Sequence, residues 1–264
     1  MKGGIATFTD DEALRQAYIE KIQRFRLLDD TFFNSCFSDN LEGMELMLRI
    51  ITGRDDLTVT EMINQNEVPN IYGREVCFDV FAKDSLGEYY EFEVQRSDKG
   101  AVPRRARYNS SMMDAMAVNK NTTWDKIPQT CVIMVTENDV LKGGKPIYHI
   151  KRMIEELDKA VFDDGAEIIY VNASFEADDA LGKLMHDFHC TNPDDMHYEE
   201  LAQKVRYFKE DEKGVESMCK AMDDNNKKMK ILGAMDYMRD EGKTDNDIID
   251  KIIEKYNVTR EYVL

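Results

Sequence analysis

The run "GEYYEFEVQR", residues 87–96, alternates as a strand does, and one of its faces reads Glu91, Glu93, Gln95. Just upstream, "REVCFDVFAKDS" alternates too, and turn-forming residues fill Asp84 to Gly87 between them. Two such runs around a short turn predict a β-hairpin. If the hairpin is symmetric about Leu86, Asp79 stands opposite Glu93. Opposed side chains sit roughly 4.5–5.5 Å apart at Cβ. Two carboxylates at that range repel unless a proton or a cation lies between them. A hard divalent ion takes carboxylate oxygens at about 2.0–2.6 Å, so one ion could bridge both. Phe78, Val80, Phe92 and Val94 are expected on the opposite, buried face. An exposed hairpin with a solvated acidic face would show the same pattern.

The residues that follow weigh against a merely solvated face. Arg96, Lys99, Arg104, Arg105 and Arg107 come in quick succession with only Asp98 opposing them. The chain as a whole carries 35 Lys and Arg against 52 Asp and Glu, a net charge of −17. A basic cluster that follows an acidic strand and enters a helix suits phosphates held near a metal. Ion pairing along a solvated helix face is the ordinary alternative.

The elements that must position these residues are legible in outline. Residues 10–27 read as a helix with Leu14, Tyr18, Ile22 and Phe25 near helical spacing. "LLDDTFFNSCFSDN" is aromatic enough to pack rather than tether, and "NLEGMELMLRII" reads as a buried helix capped by Asn40 and stopped by Gly53. "AVPRRARYNSSMMDAMAV" reads as a helix with Pro103 in its first turn. "TCVIMVT" and "EIIYVN" are buried strands, while "KPIYHIKRMIEEL" fits either period. From Phe175 onward the pattern is helical and polar, closing in a helical hairpin at "DEGKTDNDIIDKIIEKYNVTREYV". The fold class expected is α/β: a mixed central sheet flanked by helices, with a helical C-terminal extension. The expected division is a helical segment over 1–27, a core over 28–175 and the extension over 176–264. Ile231, Met235, Ile248, Ile249 and Ile252 in that extension need a partner surface, so oligomerisation or partner binding is expected there.

Composition sets limits. With 264 residues, 42% of them hydrophobic, the chain can bury a sizeable core. There is no apolar run of transmembrane length and no secretory signal pattern, and the five cysteines are widely spaced and odd in number. A cytoplasmic protein with reduced thiols and no membrane association is expected. The acidic balance argues against a surface coated for nucleic acid but permits a local basic groove. There is no phosphate-binding G-x-x-x-x-G-K loop and no G-x-S-x-G elbow. "HDFHCTNPDDMH" gathers His186, His189, Cys190 and His197, types and spacings that suit Zn²⁺, though their order matches no standard zinc pattern. A helix end is the plainer reading of that run.

Asp79, the hairpin, "EVQ" and then "RRARYNSS" resemble the PD-(D/E)XK nuclease superfamily, and within it the PD-(D/E)XK nuclease family transposases, akin to recombination-promoting nucleases. The resemblance runs from "LDDTFF" through "LMHDFHC" to "VRYFKE". It implies a nuclease-type core with the site on a central hairpin, and makes "PIYHIKRMI" a strand. It implies Mg²⁺, with Mn²⁺ as a substitute, held by Asp79 and Glu93, with the Val94 carbonyl and an acid of the first core helix, Glu42 or Glu45, completing the set. It makes DNA the substrate, gripped by Arg96, Arg104, Arg105, Arg107 and Tyr108. Gln95 holds the position of the motif lysine. A neutral amide can orient water but cannot take its proton. The implied activity is therefore a metal-dependent DNA endonuclease, with a nuclease-fold module that binds DNA or protein and cuts weakly or not at all as the alternative.

Overall fold

"TCVIMVT" is buried at every position, which requires cover on both faces. The computed structural model describes residues 10–68, 76–118 and 120–263 and shows what provides it. In chain order the elements are α1 (Asp10–Arg24), α2 (Asp30–Cys36), α3 (Leu41–Thr52), β1 (Val59–Val68), β2 (Val76–Asp84), β3 (Tyr89–Gln95), α4 (Pro103–Ala117), β4 (Thr130–Thr136), β5 (Ile147–Ile150), β6 (Met153–Ile154), β7 (Ala160–Val161), β8 (Ala166–Asn172), α5 (Ala180–His189), α6 (Glu199–Glu210), α7 (Glu212–Asp240), α8 (Asp245–Tyr256) and α9 (Arg260–Val263). Residues 1–9, Arg74 and Glu75, all covered by the expectations above, lie outside the described residues.

Six strands form one sheet in the order β1-β2-β3-β4-β8-β5. β1, β2 and β3 run antiparallel, β3, β4 and β8 parallel, and β5 closes the edge antiparallel to β8. The step from β3 to its parallel neighbour needs a long crossover, and α4 supplies it. Cys131, Ile133 and Val135 of β4 enter one core with Phe32, Phe33, Met44, Leu48 and Phe188. Val132 and Met134 face the other way into a smaller core with Ala106 and Met113 of α4. The expected mixed sheet flanked by helices is thus present. Of "PIYHIKRMI", Ile147–Ile150 forms the edge strand β5, and after a break at Lys151 and Arg152 Met153–Ile154 pairs with β7 outside the six-stranded sheet.

Local signals act as the residue types require. The Asn40 side chain accepts from Gly43 N at 3.0 Å, and Gly53 ends α3 at φ 70°. Gly87 turns the hairpin at φ 83°. The larger core also draws on Ile22 of α1, Leu201 and Val205 of α6 and Met218 and Met222 of α7, beyond residues 27 and 175 on either side. Ile231, Met235, Ile248 and Ile252 form a separate small cluster where α7 meets α8.

One expectation about the hairpin changes. Phe92, Val94 and Val80 do share the larger core, but Phe78 lies on the α4 face, 6.0 Å from the Phe81 ring. The cause is a break in the pleat. The β1–β2 ladder pairs Asn64 with Val80 and Asn66 with Phe78, passing over Gln65 and Asp79. Gln65 sits at φ 48°, in the left-handed region. Alternation is lost at Asp79, so the residues on its two sides exchange faces.

Candidate active site

The hairpin register is Val80↔Phe92, Phe81↔Glu91, Ala82↔Tyr90, which is symmetric about Leu86; its last pair falls one short of Asp79 and Glu93. Asp79 Oδ2 accepts from Val94 N at 3.1 Å, so the carboxylate is pinned against the second strand. Asp79 also reaches α2. Asn34 Nδ2 donates to Asp30 Oδ1 at 2.7 Å and lies 3.5 Å from Asp79 Oδ1, which links the two carboxyls. Burial, then the nearby charges of Glu93 and Asp30, hold Asp79 well above the usual carboxylate range.

Glu91 and Glu93 point from β3 into the α4 face and are 0% and 1% exposed. α4 meets them with residues one turn apart. Asn109 Nδ2 donates to Glu91 Oε1 at 2.7 Å, and Arg105 ion-pairs with Glu93 Oε1. Gln95 Nε2 donates to the same Glu93 oxygen at 2.6 Å. Burial and the Glu93 charge push Glu91 well above its ordinary range. Glu93 is also raised by burial, against the lowering effect of Arg105. Oε2 of both glutamates and Oδ1 of Asn34 and Asn64 are buried oxygens without a donor. A core rarely tolerates such atoms unless something else satisfies them. An all-oxygen donor set fits a hard divalent cation, so the residues present suit the ion that the resemblance implies.

Asp79 opens onto a cleft of about 630 Å³. Asp30, Asn34 and Asn64 line it with Asp79, and Asn225, Lys228 and Leu232 of α7 line it too. Lys228 is close enough for its charge, with that of Arg105, to favour the ionised form of Asp30. The C-terminal helices therefore build part of the cleft beside Asp79, although they are remote in sequence from the hairpin.

The other sequence candidates fall in different places. Val94 is buried beside Asp79. Glu45 is engaged away from the cleft: Oε2 accepts from Val59 N at 2.9 Å and Oε1 pairs with Arg49 at 2.6 Å. Glu42 is exposed on the first turn of α3. Neither lines the cleft, and the helical acid beside Asp79 is Asp30, one helix earlier. Arg96 bonds Asp29 at 2.6 Å and Glu137 at 3.2 Å, and Arg26 reaches Glu137 at 2.8 Å. Burial opposes ionisation of Glu137, but the bonds from Arg26 and Arg96 outweigh it and lower its pKa. Arg104 and Arg107 are exposed on α4, and Tyr108 is half-buried against the smaller core. Sequence reasoning passed over Asp30, Asn34 and Lys228. The spacing of Asp30 and Asn34, one helical turn apart in "DDTFFNSC", was the available signal.

A mixed sheet covered by helices, with buried acids on a central hairpin, is an architecture of the PD-(D/E)XK nuclease class. The family model described as PD-(D/E)XK nuclease family transposase matches residues 30–248. The chain belongs to that family, as the sequence resemblance implied. No curated protein and no solved structure gives a significant match. Among the described residues, no helix is long and apolar enough to cross a membrane.

Proposed function

We propose that this chain is a Mg²⁺-dependent DNA endonuclease, with Mn²⁺ able to substitute, and that Asp79 and Glu93 hold the ion. Asp30 takes the place expected of Glu42 or Glu45, and the Val94 carbonyl is the backbone donor. The observation that carries this reading is Asp30 and Asp79 lining one cleft, with Glu93 close enough for its charge to act on Asp79 and with buried oxygens of Glu91 and Glu93 left unsatisfied behind it. Burying like charges together is costly for stability, so a function is the economical explanation.

When bound, the ion would polarise the scissile phosphate and lower the pKa of a water. The chain's own part is positional. Asn34 and the Val94 amide fix the two Asp79 oxygens. Gln95, neutral, orients Glu93 and can hold a water but does not take its proton. Arg105 and Lys228 bring positive charge to a site that must accept a phosphate. The exposed Arg104 and Arg107 supply contacts to the DNA backbone, which makes binding salt-dependent. Assembly through α7–α9 belongs to the same proposal, supported by exposed Met229 and Tyr237; sedimentation of the full chain tests it.

The test is plasmid nicking by purified protein in Mg²⁺ or Mn²⁺. Nicking should be present in the wild type and lost in Asp79→Ala; equal cleavage by both would exclude this site. A second reading, a module that binds DNA or protein without cutting, is favoured by Gln95 and by the ion pair that Arg105 already makes with Glu93. Retained DNA binding with no cleavage in either metal would select it.

A further inference from the structure

The histidine-rich run after α5 is sorted by the structure. His189 is engaged elsewhere: Nε2 lies 3.1 Å from Ala173 O and Nδ1 3.4 Å from Arg26. His186 and Cys190 stand one turn apart at the C-terminal end of α5. Cys190 Sγ lies 3.4 Å from His186 Nδ1, and Asp187 Oδ1 lies 3.4 Å from the same nitrogen. One ligand atom each from His186, Asp187 and Cys190 can be chosen so that all lie within 4.8 Å of one another. Asp187 is fully buried and accepts from His197 N at 2.8 Å and Tyr198 N at 2.9 Å. Those two bonds draw the following loop back onto the helix and set the His197 ring 4.7 Å from the His186 ring.

We propose that His186, Asp187, Cys190 and His197 form a Zn²⁺ site that clips the end of α5 to the start of α6. Zn–S bonds of about 2.3 Å and Zn–N or Zn–O bonds of about 2.0–2.2 Å place tetrahedral ligands roughly 3.3–3.6 Å apart. The two 3.4 Å separations at His186 Nδ1 fall in that range. His186 and His197 are exposed, so their rings can turn to aim a nitrogen at the ion. Asp187 Oδ1 keeps a lone pair beyond the one used for His197 N. A thiolate with imidazoles selects Zn²⁺ over the hard ion suited to the carboxylate cleft. The negative end of α5 adds to the attraction. Binding forms a Zn–S bond and releases the Cys190 thiol proton to solvent, with no change of oxidation state.

Co²⁺ is the probe, because a thiolate bound to it gives a sulfur-to-metal charge-transfer band that carboxylates cannot. Full-length wild type and Asp79→Ala are titrated with Co²⁺ and then with Zn²⁺. The band should appear in both, disappear as Zn²⁺ displaces Co²⁺, and be absent in Cys190→Ser. Zn²⁺ should raise the melting temperature of the wild type and not that of Cys190→Ser. His186→Ala, at an exposed ring, is the second variant and should bind Zn²⁺ at least about tenfold more weakly. Absence of the band in the wild type overturns the proposal. So does Zn²⁺ binding of unchanged affinity in both variants, which would mark adventitious metal only.

Discussion

Glu91 and Glu93, two positions apart on one strand, are buried side by side, and Asn109 and Arg105, one turn apart on α4, meet them. Burial and its neighbour's charge raise Glu91 well above the usual carboxylate range, which favours its protonated form. Asp79 is raised likewise, by burial and by the charges of Glu93 and Asp30. A divalent cation would relieve this crowding of like charge.

Removing one charge should therefore help the metal-free fold. Glu93→Gln is expected to leave its melting temperature unchanged or raise it by a few degrees, the response to about 1 kcal/mol in a chain of this size. It should also abolish the rise that Mg²⁺ gives the wild type. Melts of both proteins with and without Mg²⁺ check this. A full Mg²⁺-dependent rise in Glu93→Gln would mean that Glu93 holds no ion.

The pH dependence follows from the same carboxyls. Asp79 and Glu91 have folded-state pKa values above those of the unfolded chain. Such groups bind more protons folded than unfolded between the two values, so stability falls as pH rises through the folded pKa. Their favourable contribution is fully present only below the ordinary carboxylate range, near pH 4. Relative to Asp79→Asn, the metal-free wild type should gain stability as pH falls toward the ordinary carboxylate range. Stabilisation by Mg²⁺ should shrink with the same fall in pH, because protons compete for the oxygens. Urea melts across that fall measure both slopes, and parallel curves for the two proteins would refute the cluster's role.

Much of this was readable beforehand. The hairpin symmetry about Leu86, the Asn40 cap, the Gly53 stop and the buried "TCVIMVT" are local signals, and each acts in the fold as its residue types require. What stayed hidden depends on long-range contacts. Glu45 has the right type and place, but it satisfies the Val59 amide where α3 hands over to β1. Asp30 gains its importance only because α2 docks over Asp79. The break in the pleat at Gln65 and Asp79 lies in a run without glycine, so no sequence signal marks the left-handed residue. The place of α7 beside the cleft is likewise set by packing, through Met218 and Met222 in the main core.

Gly100 is a quiet support for the site. A Cβ there would meet Gln95 Oε1 at 1.8 Å, so Gly100→Ala must push the amide aside. The expected result is a loss of cleavage of about tenfold, as for other residues that orient ligands, with little change in melting temperature. Cleavage at the wild-type rate would show that the Gln95–Glu93 bond is dispensable.

Lys209 tests the core rather than the site. Its buried ammonium donates to Gln23 O at 3.1 Å, Phe25 O at 2.7 Å and Thr191 O, joining α1, the end of α5 and α6. Burial pushes its pKa down to about 8. Lys209→Met keeps the stem and strands three carbonyls, so a loss of about 2 kcal/mol is expected in urea unfolding. An unchanged midpoint would show that water replaces the ammonium without cost.

The most direct test of the account is calorimetric titration of the metal-free protein with Mg²⁺ and Mn²⁺ near neutral pH, in two buffers of different ionisation enthalpy. If the carboxyls of the cleft exchange protons for a cation, the wild type will show saturable heat that differs between the buffers, the mark of proton release. Asp79→Ala should lose it. Absence of saturable heat in the wild type at millimolar metal, or heat unchanged in Asp79→Ala, would contradict the assignment of these acids to a metal site.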